Sequence, residues 1–188
     1  MALMTITIQG EKQVIAVLES MRARASNLTP AMKSIGALVK NESLGNFKSQ
    51  HGPDGTPWAP LKMSTLIARA MRLSGGKGIK TKKGAMKKGA QRVISTGKIL
   101  LDTGVLRASV QVQDTSATSV TIASRIKYAA TQQYGAKSGQ FGVAHYKSRN
   151  GTFPIPWGDI PARPFLGTNP QMRTDIADII RAHLMPAA

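Results

Sequence analysis

Nine carboxylates, three histidines and no cysteine are the main side chains with which this chain could run acid–base or metal chemistry. The acids are Glu11, Glu19, Glu42, Asp54, Asp102, Asp114, Asp159, Asp175 and Asp178, and no two share a loop with a matching partner. Asp175 and Asp178 stand at helical i,i+3 spacing, a pair that more often faces water than a substrate. Metal-dependent nucleases need several converging carboxylates, and this chain is short of them. His51, His145 and His183 are far apart and follow no H-E-x-x-H or H-x-x-H spacing. No G-x-S-x-G elbow is present to support a serine triad. Gly76-Lys77 and Gly97-Lys98 look briefly like phosphate-binding loops, but neither lysine is followed by Ser or Thr. The expectation is therefore no catalytic, metal or cofactor site. The chain is expected not to be an enzyme.

What is extreme is the charge. Lys and Arg number 26 against nine acids, a formal +17, which favours nucleic acid, an anionic surface or an acidic protein face. No acid occurs between Asp54 and Asp102. The bases there include Lys77, Lys80, Lys82, Lys83, Lys87, Lys88 and Arg92, all inside the Gly/Lys-rich segment 74–92. Alone, such a segment buries too little apolar surface to order itself, and a neighbouring subunit is the surface that would hold it. Three readings stand: a solvated arm, a clamp on an acidic protein face, or a salt-dependent contact to nucleic acid. From Gly75 to Arg92 there is no aromatic ring on which a base could stack, which weighs against single-strand binding.

The elements that would position these residues are those of one ordinary domain. A chain of 188 residues, 41% hydrophobic and 19% charged, can bury one modest core. No run of about 18 apolar residues occurs and the first ten residues do not resemble a secretory signal, so no membrane contact is expected. Thr5 to Gln9 alternates as a short strand. Val14, Val17, Leu18 and Met21 then recur at helical spacing from Glu11 to about Ala25. Thr29 as an N-cap and Pro30 at the first helical position open a second helix running toward Phe47, and the two helices should form an antiparallel hairpin. His51 to Pro60 is turn chemistry throughout. Ser64 is expected to cap a helix over Thr65 to Leu73. Leu106 to Val112 and Ser119 to Ser124 alternate as strands, and Tyr128 to Tyr134 is helix-like and ends at Gly135. Lys137 to Asp159 reads as a long loop. A final helix follows Asn169-Pro170, with Met172, Ile176, Ile179, Ile180 and Leu184 on one face. The fold class is α+β: a small antiparallel sheet carrying helices, with long loops.

Four linked patterns then stand in fixed order. Phe47-Lys48-Ser49-Gln50, Pro53-Asp54-Gly55 and Trp58-Ala59-Pro60-Leu61 resemble the "F..Q..PDG..W.PL" stretch of the phage virion morphogenesis family, which includes tail completion proteins of Mu-like and related contractile-tailed phages. The run from Lys98 to Ser109, with Asp102-Thr103-Gly104 at its centre, is similar to the family's "kiL.dtG.Lr.Si" block. Tyr128 to Gly135, including Gln132, is similar to "YA..hQ.G", and Ile160-Pro161-Ala162-Arg163-Pro164-Phe165-Leu166-Gly167 to "iPaRpFLG". The resemblance runs from Phe47 through the final helix. It implies a structural virion protein, made in the host cytoplasm, that completes the tail or joins it to the head at the neck. It also implies a closed, six-fold ring of copies and partners among neck, connector or tail-tube proteins, with genomic DNA in the channel as a further contact. Physically, the motif residues read as scaffold: Pro53, Asp54 and Gly55 as a turn, Trp58 as a cover on an apolar gap. Arg163, held between Pro161 and Pro164, is expected to fork onto a carboxylate or carbonyl, at an interface if the acceptor is a partner's.

Overall fold

The computed structural model describes residues 10–75, 78–140, 145–148, 151–154 and 158–185. Seven helices and two antiparallel strand pairs appear among them: α1 Glu11–Ala25, α2 Thr29–Ser49, α3 Met63–Leu73, α4 Lys88–Thr96, α5 Val105–Ser109, β1 Gln111–Thr115, β2 Val120–Ala123, α6 Ala129–Tyr134, β3 His145–Ser148, β4 Gly151–Pro154 and α7 Pro170–Leu184. The class is α+β. The expected strand at Thr5 to Gln9 lies outside the described residues.

The long helix α2 is the spine. Leu28, not the expected Thr29, holds the N-cap place and Thr29 is already helical; Asn27 Oδ1 accepts the Thr29 N–H, and Pro30 sits in the first turn, where a missing N–H costs nothing. Ala31, Ile35, Ser43 and Phe47 fall at multiples of four along it and are all buried. Gly36 lets the β1–β2 hairpin sit directly on the helix: a Cβ there would lie 2.9 Å from Val120 Cγ2 and 3.2 Å from Val112 Cγ2. The helix stops at Gln50, whose φ of 64° takes it out of helical geometry. On another face of α2 packs α7, whose cap is Asn169: its Oδ1 accepts the Met172 N–H at 2.6 Å. The expected apolar face of α7 is the one turned inward, with Met172 fully buried.

The main core joins Phe47, Trp58, Leu106, Val110, Ala129 and Phe165, contributed by five separated stretches of chain. A second, smaller cluster of Ala70, Ile79 and Ala90 lies between α3 and α4.

The structure corrects several expectations. Leu106 to Val112 is not one strand: it is α5 followed by the start of β1. Leu106 and Val110 are both buried because i,i+4 on a helical turn faces them the same way, and over so short an apolar run the two periods cannot be told apart. The helix after the Pro-rich loop begins at Met63 with Lys62 before it, so Ser64 is inside the first turn and caps nothing. Helix α1 does not lie along α2 as a hairpin partner but meets α7. The His183 ring Nε2 stands 3.3 Å from the Arg24 carbonyl and 3.1 Å from that of Asn27, and holds the end of α1 there. The stretch expected to be a loop from Lys137 to Asp159 contains the β3–β4 hairpin.

The described residues of the basic segment, 74–75 and 78–92, make bonds within their own chain. Thr81 N–H donates to Ala85 O, Gly84 N–H to Thr81 O and Lys87 N–H to Ile79 O, closing a tight turn with Gly84 at φ 81°. The chain then enters α4, where Ala90, Val93 and Ile94 form an i,i+3,i+4 stripe against α3. The stripe straddles Arg92, so a reading by composition cuts it in half.

Candidate docking cleft

Residues of each sequence block reach a single cleft, and the blocks are tied to one another by side chains bonding to backbone. The loop after α2 is set first. Gln50 donates from Nε2 to the carbonyls of Phe47 (2.6 Å) and Ile99 (3.1 Å), while its Oε1 accepts the Ile99 N–H. Asp54 then closes its own turn: Oδ1 accepts the Thr56 N–H at 3.0 Å and Oδ2 the Thr56 hydroxyl at 2.7 Å. Those two bonds hold its carboxyl below the usual range. Gly55 takes the φ of 79° that the turn requires. Pro53 packs on Gly167, where a Cβ would come within 2.8 Å of the proline ring.

From this loop Trp58 enters the core, edge-on to Phe47 with centroids 5.6 Å apart, and its indole N–H donates to Pro164 O at 2.8 Å. Phe165 also packs on Phe47, its ring tilted by 41° with centroids 5.3 Å apart. Arg163 is only 6% exposed. Its Nε donates to Ala59 O (2.9 Å) and its Nη2 to Pro60 O (3.2 Å), so the guanidinium fork closes on this chain's own carbonyls. Burial pulls its pKa down from the usual arginine value, with the nearby Arg69 adding to the effect. Expected as a partner contact, Arg163 is instead an internal clamp.

The third block forms α6. Gln133, one residue past the expected Gln132, holds the 160–167 stretch: its Oε1 accepts the N–H groups of Phe165 (3.0 Å) and Leu166 (3.1 Å), and its Nε2 donates to Leu166 O (2.7 Å). Gln132 contributes its backbone carbonyl to the Arg163 N–H at 2.7 Å. Gly135, at φ 75°, passes so close that a Cβ would lie 2.8 Å from Ile160 O and 2.9 Å from Ala162 N. Of this glutamine pair, the sequence singles out Gln132; which member faces inward is not visible there.

Between α3, the 100–106 turn, α6 and residues 158–163 lies an open cleft of about 680 Å³. Leu61, Leu100, Leu106 and Ile160 give it an apolar lining, with Pro161, Gly104, Gln132 and the half-exposed Tyr128 around them. Asp102 sits on its rim, bonded to Arg72 at 2.5 Å and 3.6 Å from Arg69 Nε. Asp159, across the opening, accepts the Ser138 N–H and the Lys137 ammonium, which lower its pKa. Its carboxylates are thus already matched by cations or N–H groups. Among the described residues no three His, Asp or Glu side chains gather where a metal could be held. The arrangement offers apolar surface and a few oriented polar groups, which is what binding needs.

The basic residues lie elsewhere. Lys82, Lys83 and Lys88 are exposed around the 79–87 turn and the start of α4, as are Lys80 beside Ile79 and Arg92 on α4. Lys87 precedes α4 and its ammonium donates to Gly78 O at 2.9 Å. Lys77 lies outside the described residues.

Compared with known proteins, residues 10–185 match the model of the phage virion morphogenesis family. The chain belongs to that family. No curated protein and no solved structure matches it. As a member of the phage virion morphogenesis family, the chain is assigned to the building of a virion. No described helix is long and apolar enough to cross a membrane.

Proposed function

We propose that this protein is a structural component of a tailed-phage virion that completes the tail or joins it to the head at the neck. It acts as a ring of identical subunits and docks on neighbouring neck, connector or tail-tube proteins. The observation that carries the reading is the family match over residues 10–185. The geometry is in keeping with it: motif residues lock a rigid frame around an apolar cleft, and charged side chains stand outside on α3 and α4. A part that works by shape needs such a frame, because docking surfaces must be held before the partner arrives.

The test is complementation of phage particles lacking the protein, read by electron microscopy. The expected result is unjoined or unfinished tails without it and complete particles when it is restored. Finished, infectious particles in its absence would refute the role. A second reading is favoured by one observation, the cluster of exposed Lys80, Lys82, Lys83 and Lys88 in a stretch without acids: sequence-independent DNA binding. Replacing Lys82, Lys83 and Lys88 by Gln separates the two. Lys87 is left alone because it holds the Gly78 carbonyl. Docking on protein predicts defective joining and an unchanged fold. Contact with duplex DNA predicts lost affinity and a salt slope reduced by about 3, near 0.9 per phosphate contact. Normal joining together with lost DNA affinity would decide for the second reading.

A further inference from the structure

Helix α1 is the least supported element of the fold. It has 15 residues and none of them is buried. Val14, Val17 and Leu18, which share one face, are 59%, 54% and 58% exposed. Isolated helices of about this length are marginal in water, and most helical stability comes from packing an apolar face. Among the described residues α1 meets α7, and His183 ties down its C-terminal end. The rest is an amphipathic rod with its apolar stripe turned to solvent.

Its flank carries a second feature. Glu11, Ile15 and Glu19 stand at i, i+4 and i+8, in line beside the stripe, and all three are exposed. Over residues 11–21 the charges are Glu11, Glu19 and Lys12, a net −1 within a chain of +17. A complementary surface is therefore apolar and framed by cations.

This chain has such a surface in another place. Between α3 and α4 lies a notch of about 440 Å³ lined by Ala70, Leu73, Ile79, Gly89, Ala90 and Val93. Leu73, on its edge, is 63% exposed, and a Cβ on Gly89 would meet nothing within 4 Å. Lys87 lines the notch, and Lys82, Lys83, Lys88 and Arg92, all exposed, belong to the same 79–92 stretch of chain.

We propose that α1 of one copy docks its Val14–Leu18 stripe into the α3–α4 notch of a second copy, with Glu11 and Glu19 against the basic frame. The contact is heterologous: donor and acceptor are different surfaces, so every subunit offers one of each and a ring closes without leaving either unmatched. The alternative, α1 pairing with α1 of another copy, would cover the stripe but leave the notch and Leu73 bare and its cations unopposed. One contact accounts for both exposed apolar sets and for the local reversal of charge. The proposal rests on the proposed role only for the expectation of a closed ring.

The absence of cysteine makes the contact directly readable. Leu18→Cys and Leu73→Cys variants of the full chain, both at exposed sites, are purified reduced, mixed and oxidised mildly. The expected product is a disulfide-linked dimer in the mixture, with little from either variant alone. Glu11→Lys with Glu19→Lys in the Leu18→Cys chain should abolish it, with an unchanged circular dichroism spectrum. The companion measurement is light scattering of Leu18→Glu, expected to run as a monomer where the parent chain is oligomeric. Dimers from Leu18→Cys alone would overturn the proposal in favour of paired α1 helices. A parent chain that stays monomeric, with no disulfide dimer from the mixed cysteine variants, would overturn it outright. Cross-linking by a chain that fails to complement tail-deficient particles would sink the virion role and leave the contact standing.

Discussion

Gln132 and Gln133 are neighbours of the same chemistry, and the structure assigns them opposite consequences. Replacing Gln133 by Ala removes the acceptor shared by the Phe165 and Leu166 N–H groups and the donor to Leu166 O. Three backbone groups in a partly buried stretch lose their partner at once. An orphaned buried group costs about 1–3 kcal/mol, and partial access of water brings these toward the low end, so about 3 kcal/mol in all is expected. In a domain of this size that lowers Tm by about 6–12 °C. Gln132→Ala leaves the backbone bond to Arg163 intact and should cost about 0.5 kcal/mol or less. The assay is urea unfolding followed by tryptophan fluorescence, since Trp58 is buried against the same stretch. Equal slopes in urea for both variants would show that only stability has changed. If Gln132→Ala proved the more damaging, the assignment of the clamp would be wrong. So would the argument that the 160–167 stretch hangs on α6.

Three further outcomes follow from the same geometry. Gly135→Ala combines a left-handed φ with a Cβ 2.8 Å from a backbone oxygen, so it should cost about 2–4 kcal/mol, and a melting temperature near that of the parent would contradict this. Ser43 Oγ is buried without a hydrogen-bond partner, so Ser43→Ala should be neutral or raise stability by about 1 kcal/mol in the same urea titration; a clear loss would mean the hydroxyl is satisfied after all. Asp54 has its folded pKa lowered by Thr56, so its contribution is present above the unfolded value of about 3.9 and is lost as pH falls through the folded one. Asp54→Asn should therefore be the less stable protein at neutral pH and converge with the parent as pH falls through the lowered folded pKa, as read by melting curves across pH.

Much of the frame was legible because it is written in local chemistry. Pro30 in the first turn of α2, Asn169-Pro170, the His51–Pro60 loop and the stop at Gly135 each depend on a dihedral or cap that a few adjacent residues dictate. What escaped were features whose cause lies across the fold. Helix α4 is stabilised by α3, and its own composition of Lys and Gly speaks against it. The inward turn of Arg163 depends on where the Ala59 and Pro60 carbonyls end up, about a hundred residues away in sequence. The choice between Gln132 and Gln133 is a matter of helical phase over six residues, too few for a period to show.

That division bears on where partner recognition lies. Trp58, Arg163, Pro164 and Phe165, together with Asp54 and its turn, close on one another's backbone and rings, so their polar groups are already matched before any partner is met. A second protein cannot read a guanidinium that is 6% exposed and bonded to two carbonyls. Substituting them should disturb docking only through the shape of the cleft, in step with lost stability. The surfaces left to discriminate are the cleft lining with Tyr128 and Ile160, the α1 stripe and the cations on α3 and α4. There, substitutions should change assembly while melting temperature stays put, since exposed sites contribute within about 0.5 kcal/mol. Plotting assembly against stability for both sets of variants should give one set on a common line and the other off it. A single line through both would mean that the protein has no separate docking surface, and that its frame alone is what the virion requires.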